Sequence, residues 1–439
     1  MRVKKISQTL FLILFTGIFV PKTSLAQDRL SLEDAVKIGL ENNLGVRIAR
    51  KKAEIPRLNK SFGEAGFLPN LSAGVTIEQL HDTEREAIGS SPAATNSYVE
   101  NIVDADITLE WTVFDGFAMY SNYKQLKELE ELGDVESQLS IERIVIQIIS
   151  TYYNIVTLER RIDVLANSVE ISRERVEIAQ AKYDLGSGSE YDLLVAQTDY
   201  NSDKTNLFRE QASLNEARLA LYQLLNINAE KKFLVADRID LTLDQNFNEL
   251  KSAALQNNYE LIAARIGLSV RNIDVRKVTQ GMLPKVNVFA SYYLNNLEHF
   301  NAVSSTSNID GLHFGVAARW NIFNGFDKRR SLSIARVNSN ISELMVYELE
   351  QTIDKYLLST FSNYQNAKIL IELEEQNLEI ANKTLEIAME RFRLGNITSV
   401  ELRESQRTLL NTEHQLIEAQ FQAKIYETEL LHLTGGLRF

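Results

Sequence analysis

Apolar and polar positions along the chain follow two periods, and each period occurs in both halves of the sequence. Alternation with period two predicts strands at residues 70–79, 103–113, 285–295 and 311–321. A helical period follows, and it predicts long helices at residues 118–185, 190–225, 327–394 and 398–434. A shorter helix precedes the strands in each half, at about residues 31–62 and 247–280. The pattern therefore predicts a mixed, mainly α fold with four strands.

The two halves are copies of one unit. Trp111 to Phe117 recurs as Trp320 to Phe326, and Phe67 to Asn70 recurs as Met282 to Lys285. This predicts a duplicated helix, strand, strand, long helix, helix repeat, with copies at residues 27–225 and 249–439 and a linker at 226–248. Residues 80–102 and 295–311 are rich in Ser and Asn and weak in period, so exposed hairpin loops are expected there.

The N-terminal segment has the pattern of a secretory signal peptide. Arg2, Lys4 and Lys5 precede an apolar run, and Ser24 and Ala26 supply small residues before the expected cleavage point. Residues 1–26 are therefore set apart from the fold. No later stretch approaches the about 18 apolar residues of a membrane helix, so any entry into a membrane would have to use β-structure.

Composition removes several classes of function. The chain has 47 basic and 59 acidic side chains and no cysteine, which argues against a nucleic-acid partner and against Cys-ligated metals. The five histidines are scattered, without metal-ligand or relay spacing, and motifs for nucleophiles or phosphate binding are absent. We therefore expect no enzyme activity, no cofactor and no metal site.

Four strands with one apolar row cannot close a barrel alone, because open edges in hydrocarbon leave backbone groups unpaired. Sharing between two chains would give eight strands, and sharing between three would give twelve and leave a lumen. Aromatic residues at both strand-to-helix junctions are candidates for a membrane-interface girdle, or else for a local cluster at the strand ends: Trp111, Phe114, Phe117, Trp320, Phe323 and Phe326.

Glycine interrupts the long helical pattern once in each half. The run from Tyr183 through Gly186 to Asp192 and Gln197 is echoed by the run from Phe392 through Gly395 to Glu401, Glu404 and Gln406. With the duplicated strands and long helices, these turns make the chain resemble the TolC-type outer membrane efflux proteins, the outer membrane factors. The resemblance implies a homotrimer with a shared twelve-stranded β-barrel in the outer membrane of a Gram-negative bacterium. It also implies a periplasmic α-helical barrel with an equatorial region near the linker.

The resemblance further implies an exit duct of a tripartite efflux or type I secretion system. The partners would be a periplasmic membrane-fusion adaptor, an inner-membrane transporter of the RND or ABC type, and outer-membrane lipid. The helix tips would contact the adaptor through Tyr183, Gly186, Ser187, Phe392, Gly395 and Asn396.

Acidic residues after each turn would form the periplasmic entrance gate: Asp192, Glu401 and Glu404. Acids also suit a helix N-terminus through the helix dipole, so a capping role stands beside the gate role. The alternative function classes are a periplasm-spanning scaffold and a general diffusion porin. Helices of roughly 100 Å at 1.5 Å per residue are far longer than a simple pore needs.

Overall fold

The computed structural model describes residues 29–86, 94–229, 233–235, 238–244, 246–300 and 305–437. The expected signal peptide, residues 1–26, lies outside the described residues. In the first repeat the strands are Arg29–Leu30 (β1), Asn70–Glu86 (β2) and Ala94–Phe114 (β3). The helices of this repeat are Leu32–Asn42 (α1), Leu44–Asn59 (α2), Ala118–Asp184 (α3) and Glu190–Leu225 (α4).

The second repeat has the same order of elements. A short strand, Leu234–Val235 (β4), pairs with β1 in parallel and precedes two helices, Phe247–Asn257 (α5) and Tyr259–Gln280 (α6). Two strands follow, Lys285–Phe300 (β5) and Ser305–Arg319 (β6), and then two long helices, Asp327–Arg393 (α7) and Ser399–Leu433 (α8).

Each short helix expected from the sequence is two helices, so the prediction of single helices was wrong here. The first breaks at Asn43 and the second at Asn258. The side chain of Asn43 accepts a hydrogen bond from Val46 N and donates one to Leu224 O at 2.7 Å. Asn258 repeats both bonds, with Leu261 N and Leu433 O. Each Asn therefore caps a new helix and ties the break to the end of a long helix.

The four long strands form one antiparallel sheet in the order β2, β3, β5, β6. Leu71, Val75, Ile107, Val288 and Val316 share one face with other apolar side chains, and this apolar face is largely exposed. The opposite face, called the polar face below, carries Asp104, Asp106, Glu110, Ser291 and Asn295. The sheet thus separates an apolar surface from an acidic one.

The strands are longer than the sequence pattern predicts, and the expected loops at 80–102 and 295–311 were wrong for most of their length. Antiparallel pairs continue from Asn70 with Glu110 to Glu86 with Ala94, and β5 and β6 pair up to His299 with Ser305. Backbone hydrogen bonds hold these ends whatever the side chains, so no apolar alternation is required. The last strand ends at Arg319, before Trp320.

The helices lie side by side in a row. Near the sheet the order is α2, α3, α6, α7, and towards the far ends it is α4, α3, α8, α7. A core cluster joins α1, α3 and α4 through Val36, Ile148 and Leu221, and a second joins α5, α7 and α8 through Leu250, Leu357 and Leu430. Within the described helices, no segment combines the length and hydropathy that crossing a bilayer requires.

A buried carboxylate of α8 holds the linker between the repeats. Glu427 accepts hydrogen bonds from Thr242 N at 2.6 Å and Leu243 N at 2.7 Å, and its other oxygen accepts one from Lys424 Nζ at 2.7 Å. Lys424 also donates to Asp240 O. Because Glu427 is completely buried and fully paired, it fixes this part of the linker against the helices.

Candidate functional site: the helix tips

Both long helix pairs reverse direction at a glycine with left-handed backbone. Gly186 has φ +71° and Gly395 has φ +76°, a region that favours glycine. The amide of Ser187 donates to Lys182 O at 2.9 Å, and the amide of Asn396 donates to Arg391 O at 2.8 Å. These bonds, each made to the fifth residue back, satisfy carbonyls of the last turn of each helix. The two tips therefore have the same reversal.

The residues after each glycine cap the returning helix. Ser189 accepts from Asp192 N at 3.1 Å, and the Ser189 hydroxyl donates to the Asp192 carboxylate at 2.6 Å. In the second tip Thr398 accepts from Glu401 N, while Glu401 accepts from Thr398 N at 2.7 Å and from its hydroxyl at 2.8 Å. Asp192 and Glu401 thus both stabilise helix starts.

The surroundings of Glu401 keep its carboxylate ionised. Hydrogen bonds from the Thr398 backbone and hydroxyl lower the pKa of Glu401 below its usual value, and the charge of Arg391 lowers it further. Glu404 lies almost one turn further along α8 and is exposed. The second tip therefore presents two acidic side chains on the first turns of α8.

Apolar side chains project from the two turns. Leu185 is 83% exposed and Leu394 is 74% exposed, and Tyr183, Ser187 and Asn396 are exposed as well. Single exposed leucines are common, but here the same position is exposed in both copies. Each tip therefore presents one exposed leucine, at equivalent positions, next to polar side chains.

Phe392 is the exception among the expected contact residues, and it cannot offer its side chain to a partner. It is only 4% exposed, in a cluster with Leu385 and Leu402. The ammonium group of Lys182 lies 4.3 Å from its ring centroid and donates to Phe392 O at 3.0 Å. Lys182, which belongs to the first tip, therefore covers Phe392 of the second tip. Tyr183, which holds the position of Phe392 in the first repeat, stays exposed.

A buried charge cluster behind the tips was missed by sequence reasoning. Arg403 of α8 donates to both carboxylate oxygens of Asp203 of α4, at 2.7 and 2.8 Å, and Asp203 also accepts from Ser172 of α3. Arg175 of α3 pairs with Asp199 of α4. These five residues, called the charge cluster below, join helices of both repeats.

Burial and pairing act oppositely on the two arginines. Desolvation lowers the pKa of the fully buried Arg175, while the hydrogen bonds of Asp203 raise the pKa of Arg403. Gln406 of α8 continues the hydrogen-bond network to Ser172 and Ser168. The one indication of the charge cluster in the sequence was Asp203, a charged residue within the regular apolar spacing of α4. Its partner, Arg403, lies 200 positions away along the chain.

The aromatic residues at the strand-to-helix junctions form the same cluster twice. Trp111 Nε1 donates to Phe67 O at 2.8 Å, and Trp320 Nε1 donates to Met282 O at 3.0 Å. In each copy two rings make an edge-to-face contact with centroids 5.3 and 5.4 Å apart, between Phe114 and Phe117 and between Phe323 and Phe326. The duplicated sequence therefore builds duplicated geometry.

The part of the chain that the structure describes contains no group of three or more His, Asp or Glu residues able to hold a metal ion.

Comparison with known proteins places this geometry in a family. A model of the outer membrane efflux protein family matches residues 38–227 and 250–436. The chain is 18% identical to outer membrane efflux protein BepC of Brucella suis, covering 93% of this chain and 86% of that protein. It is 20% identical to outer membrane protein TolC of Escherichia coli, covering 89% and 78%.

Solved structures show the same fold. The outer membrane protein VceC of Vibrio cholerae has a TM-score of 0.73 at 17% identity, covering 92% of this chain and 96% of that chain. CusC has a TM-score of 0.74 at 16% identity, covering 92% of each. Because the family model matches both repeats, this chain belongs to the outer membrane efflux protein family, the outer-membrane exit ducts of efflux and type I secretion systems.

Proposed function

We propose that three copies of this chain close into one duct, with a shared twelve-stranded barrel and a helical barrel below it. The observation that carries this proposal is the sheet itself. It has one apolar face, one acidic face and two edge strands, β2 and β6. In a membrane such edges must pair, and pairing β6 of one chain with β2 of the next satisfies both.

The number of copies follows from the polar face. Eight strands, from two chains, would leave an interior filled by side chains, whereas twelve leave a lumen. Asp104, Asp106 and Glu110 need water or partners, and a lumen supplies water. Three copies therefore suit this sheet, with the apolar face against outer-membrane lipid and the junction aromatics Trp111 and Trp320 at the membrane interface.

The helices support the same closure. The row near the sheet ends in α2 and α7, and both helices carry exposed apolar side chains. On α7 these include Val337, Ile341 and Leu344, and on α2 they include Ile48 and Ile55. Contiguous apolar surface of this kind marks an interaction site. In a ring of three, one neighbouring copy would cover the α2 end of the row and the other would cover the α7 end.

The similarity of the two repeats supports the closure of copies into a ring independently. A Cβ at Gly116 would collide with Gln280 O and Leu283, because the end of α6 packs there. The copy of this glycine, Gly325, has open space around it. In a closed ring, the residues of a neighbouring chain that correspond to 280–283 would fill that space.

Native mass spectrometry of the detergent-extracted protein tests the assembly. We expect a trimer, since an isolated four-stranded sheet leaves edges unpaired. A monomeric mass from protein whose circular dichroism still shows its full strand content would contradict the proposal.

The finer function is a connection to a periplasmic adaptor and an inner-membrane transporter of the RND or ABC type. The names of two relatives describe secretion and efflux: alkaline protease secretion protein AprF of Pseudomonas aeruginosa and cation efflux system protein CusC of Escherichia coli. In this chain the docking points would be the tips, around Gly186 and Gly395. The acidic residues Asp192, Glu401 and Glu404 would form the entrance gate.

Photo-crosslinking tests the docking points. Crosslinking amino acids at Ser187 and Asn396 should each trap a periplasmic protein in an active strain, because both side chains are exposed at the reversals. The same probe at Glu372, exposed in the middle of α7, serves as the control and should trap none. Equal yields at all three positions, or no adduct at the tips, would count against docking there.

A further inference from the structure

Two glycines of β6 lie beneath aromatic rings of the neighbouring strand. Gly315 is paired with Phe289 of β5, and Gly311 is paired with Tyr293. A Cβ at Gly315 would lie 2.8 Å from Cζ of Phe289, and one at Gly311 would lie 3.0 Å from the Tyr293 hydroxyl oxygen. Each ring therefore lies across β6, in the space that a side chain would fill. Aromatic rings covering strand glycines are a known device of sheets.

The first repeat does the same with a different side chain. A Cβ at Gly74 of β2 would lie 2.8 Å from Oδ1 of Asp106, its partner on β3. Asp106 in turn is paired with Tyr293, so Gly74, Asp106, Tyr293 and Gly311 form one row across the four strands. All three glycines of the described strands lie on the polar face, and each is covered by the side chain of its cross-strand partner.

We propose that Gly315 and Gly311 set the bore of the duct by letting Phe289 and Tyr293 lie flat against its wall. This inference rests on the proposed function, in which the polar face lines the lumen. Because glycine lies beneath them, the rings of Phe289 and Tyr293 lie against the sheet and do not project into the lumen. A side chain at either glycine would lift the ring into the lumen, and in a trimer three copies would do so in the same row.

The ring, and not the backbone, is what would move. The atom nearest to a Cβ at Gly315 is the far end of the Phe289 side chain, which can turn about its own bonds. On the wall the ring lies beside His313, with centroids 5.2 Å apart, so a turn along the wall is obstructed on that side. On its other side the cross-strand neighbour of Phe289 is Glu110 of β3, so we take the turn to be into the lumen. Valine also suits a strand, so Gly315→Val should fold.

Thiol labelling measures the bore directly, because the chain has no cysteine of its own. Ala317→Cys places a thiol on the polar face on the helix side of both rings, and Ser307→Cys places one on the hairpin side. The reagent is the largest polyethylene glycol maleimide that labels Ala317→Cys in intact cells. We expect Gly315→Val to lower its labelling rate at Ala317→Cys several-fold and to leave Ser307→Cys unchanged.

A second variant distinguishes a narrower bore from misfolding of Gly315→Val. Adding Phe289→Ala to Gly315→Val removes the lifted ring and should restore the rate at Ala317→Cys, while N-ethylmaleimide should label all variants equally. An unchanged rate in Gly315→Val, or no recovery with Phe289→Ala, would overturn the bore proposal and leave the duct intact. If a charged, water-soluble maleimide labels neither Ala317→Cys nor Ser307→Cys in chains that keep Gly315, the polar face lines no lumen and the proposed function itself fails.

Discussion

Glu401 shows how one carboxylate can serve both a helix start and a gate. Its carboxylate accepts a hydrogen bond from the Thr398 amide as one half of a capping box, and this bond, together with one from the Thr398 hydroxyl, lowers its pKa, so the group stays charged at neutral pH. Two of the arginines nearby pair elsewhere, Arg403 with Asp203 and Arg393 with Glu174, while Arg391 adds its charge to the surroundings of Glu401. The charge of Glu401 is therefore left for the solvent side, where the entrance gate is proposed.

Removing the charge without removing the cap tests the gate. Glutamine keeps the reciprocal hydrogen bonds of a capping box, so Glu401→Gln with Glu404→Gln should leave the start of α8 in place. We expect a lower preference for cations in planar-bilayer recordings and weaker block by divalent and trivalent cations, because a narrow ring of like charges favours and binds them.

The control removes the same number of charges far from the tips. Glu33→Gln with Glu41→Gln alters exposed side chains of α1, at the opposite end of α4 from Gly186, and should change neither selectivity nor block. Selectivity that is the same in the tip variant, the control and the parent would leave Glu401 with the capping role alone.

At the scale of single residues, the sequence predicts what depends on neighbours along the chain. Gly186 and Gly395 could be identified as turns because a glycine that interrupts a helical period commonly ends the helix with a left-handed residue. The burial of Phe392 could not be predicted, since Lys182 of the other repeat covers it. Asn43 and Asn258 were visible as a repeated residue, but their capping role needed the carbonyls of Leu224 and Leu433.

At the scale of elements, the period of apolar positions in the sequence predicts the long helices well and the ends of the strands poorly. The period of α3 and α7 persists because one side of each helix packs along its length. The outer halves of β2 and β3 have no apolar face to preserve, and only the ladder from Leu80 with Glu100 to Glu86 with Ala94 makes them strands. Side-chain patterning cannot report hydrogen bonds of that kind.

The charge cluster belongs to this scale, because it joins α3, α4 and α8. Asp203 is buried and is the acceptor for Arg403 and Ser172, so Asp203→Asn leaves two arginines, Arg403 and Arg175, with Asp199 as the one carboxylate of the charge cluster. Breaking a buried pair in this way costs about 3–5 kcal/mol. We expect the free energy of unfolding from urea titrations of the detergent-extracted protein to fall by an amount of that order.

A matched variant tells the two arginines apart. The Nε and Nη1 atoms of Arg175 make no hydrogen bond within the described residues, so its guanidinium is poorly satisfied for a fully buried group. Arg175→Met should therefore cost less than Asp203→Asn, because the carboxylate that it leaves behind, Asp199, is 28% exposed and still lies 3.8 Å from Arg403 Nε. Equal destabilisation by Arg175→Met and Asp203→Asn would contradict this assignment, and the exposed pair variant Lys383→Met should change nothing measurable.

At the scale of the whole molecule, duplication turns each contact between repeats into an expected contact between chains. Within the chain, Leu132 of α3 and Leu268 of α6 line the groove between their helices. The copy of Leu132 is Ile341 of α7, and it is 44% exposed. The copy of α6 is α2, so in the proposed trimer the expected partner of Ile341 is α2 of a neighbouring chain. The contact of α3 with α6 inside the chain is thus the expected model for the contact of α7 with α2 between chains.

Ile341→Asp should therefore weaken the trimer. Burying an isoleucine side chain contributes about 1.5–3 kcal/mol, and a closed ring of three chains loses this at each of three equivalent interfaces. A carboxylate at the same place adds a desolvation cost. We expect native mass spectrometry at fixed protein concentration to show a larger monomer fraction for Ile341→Asp, and no change for Ile341→Leu, which keeps the apolar surface. An Ile341→Asp protein that remained as trimeric as the parent on dilution would mean that this stretch of α7 faces solvent in the assembled duct.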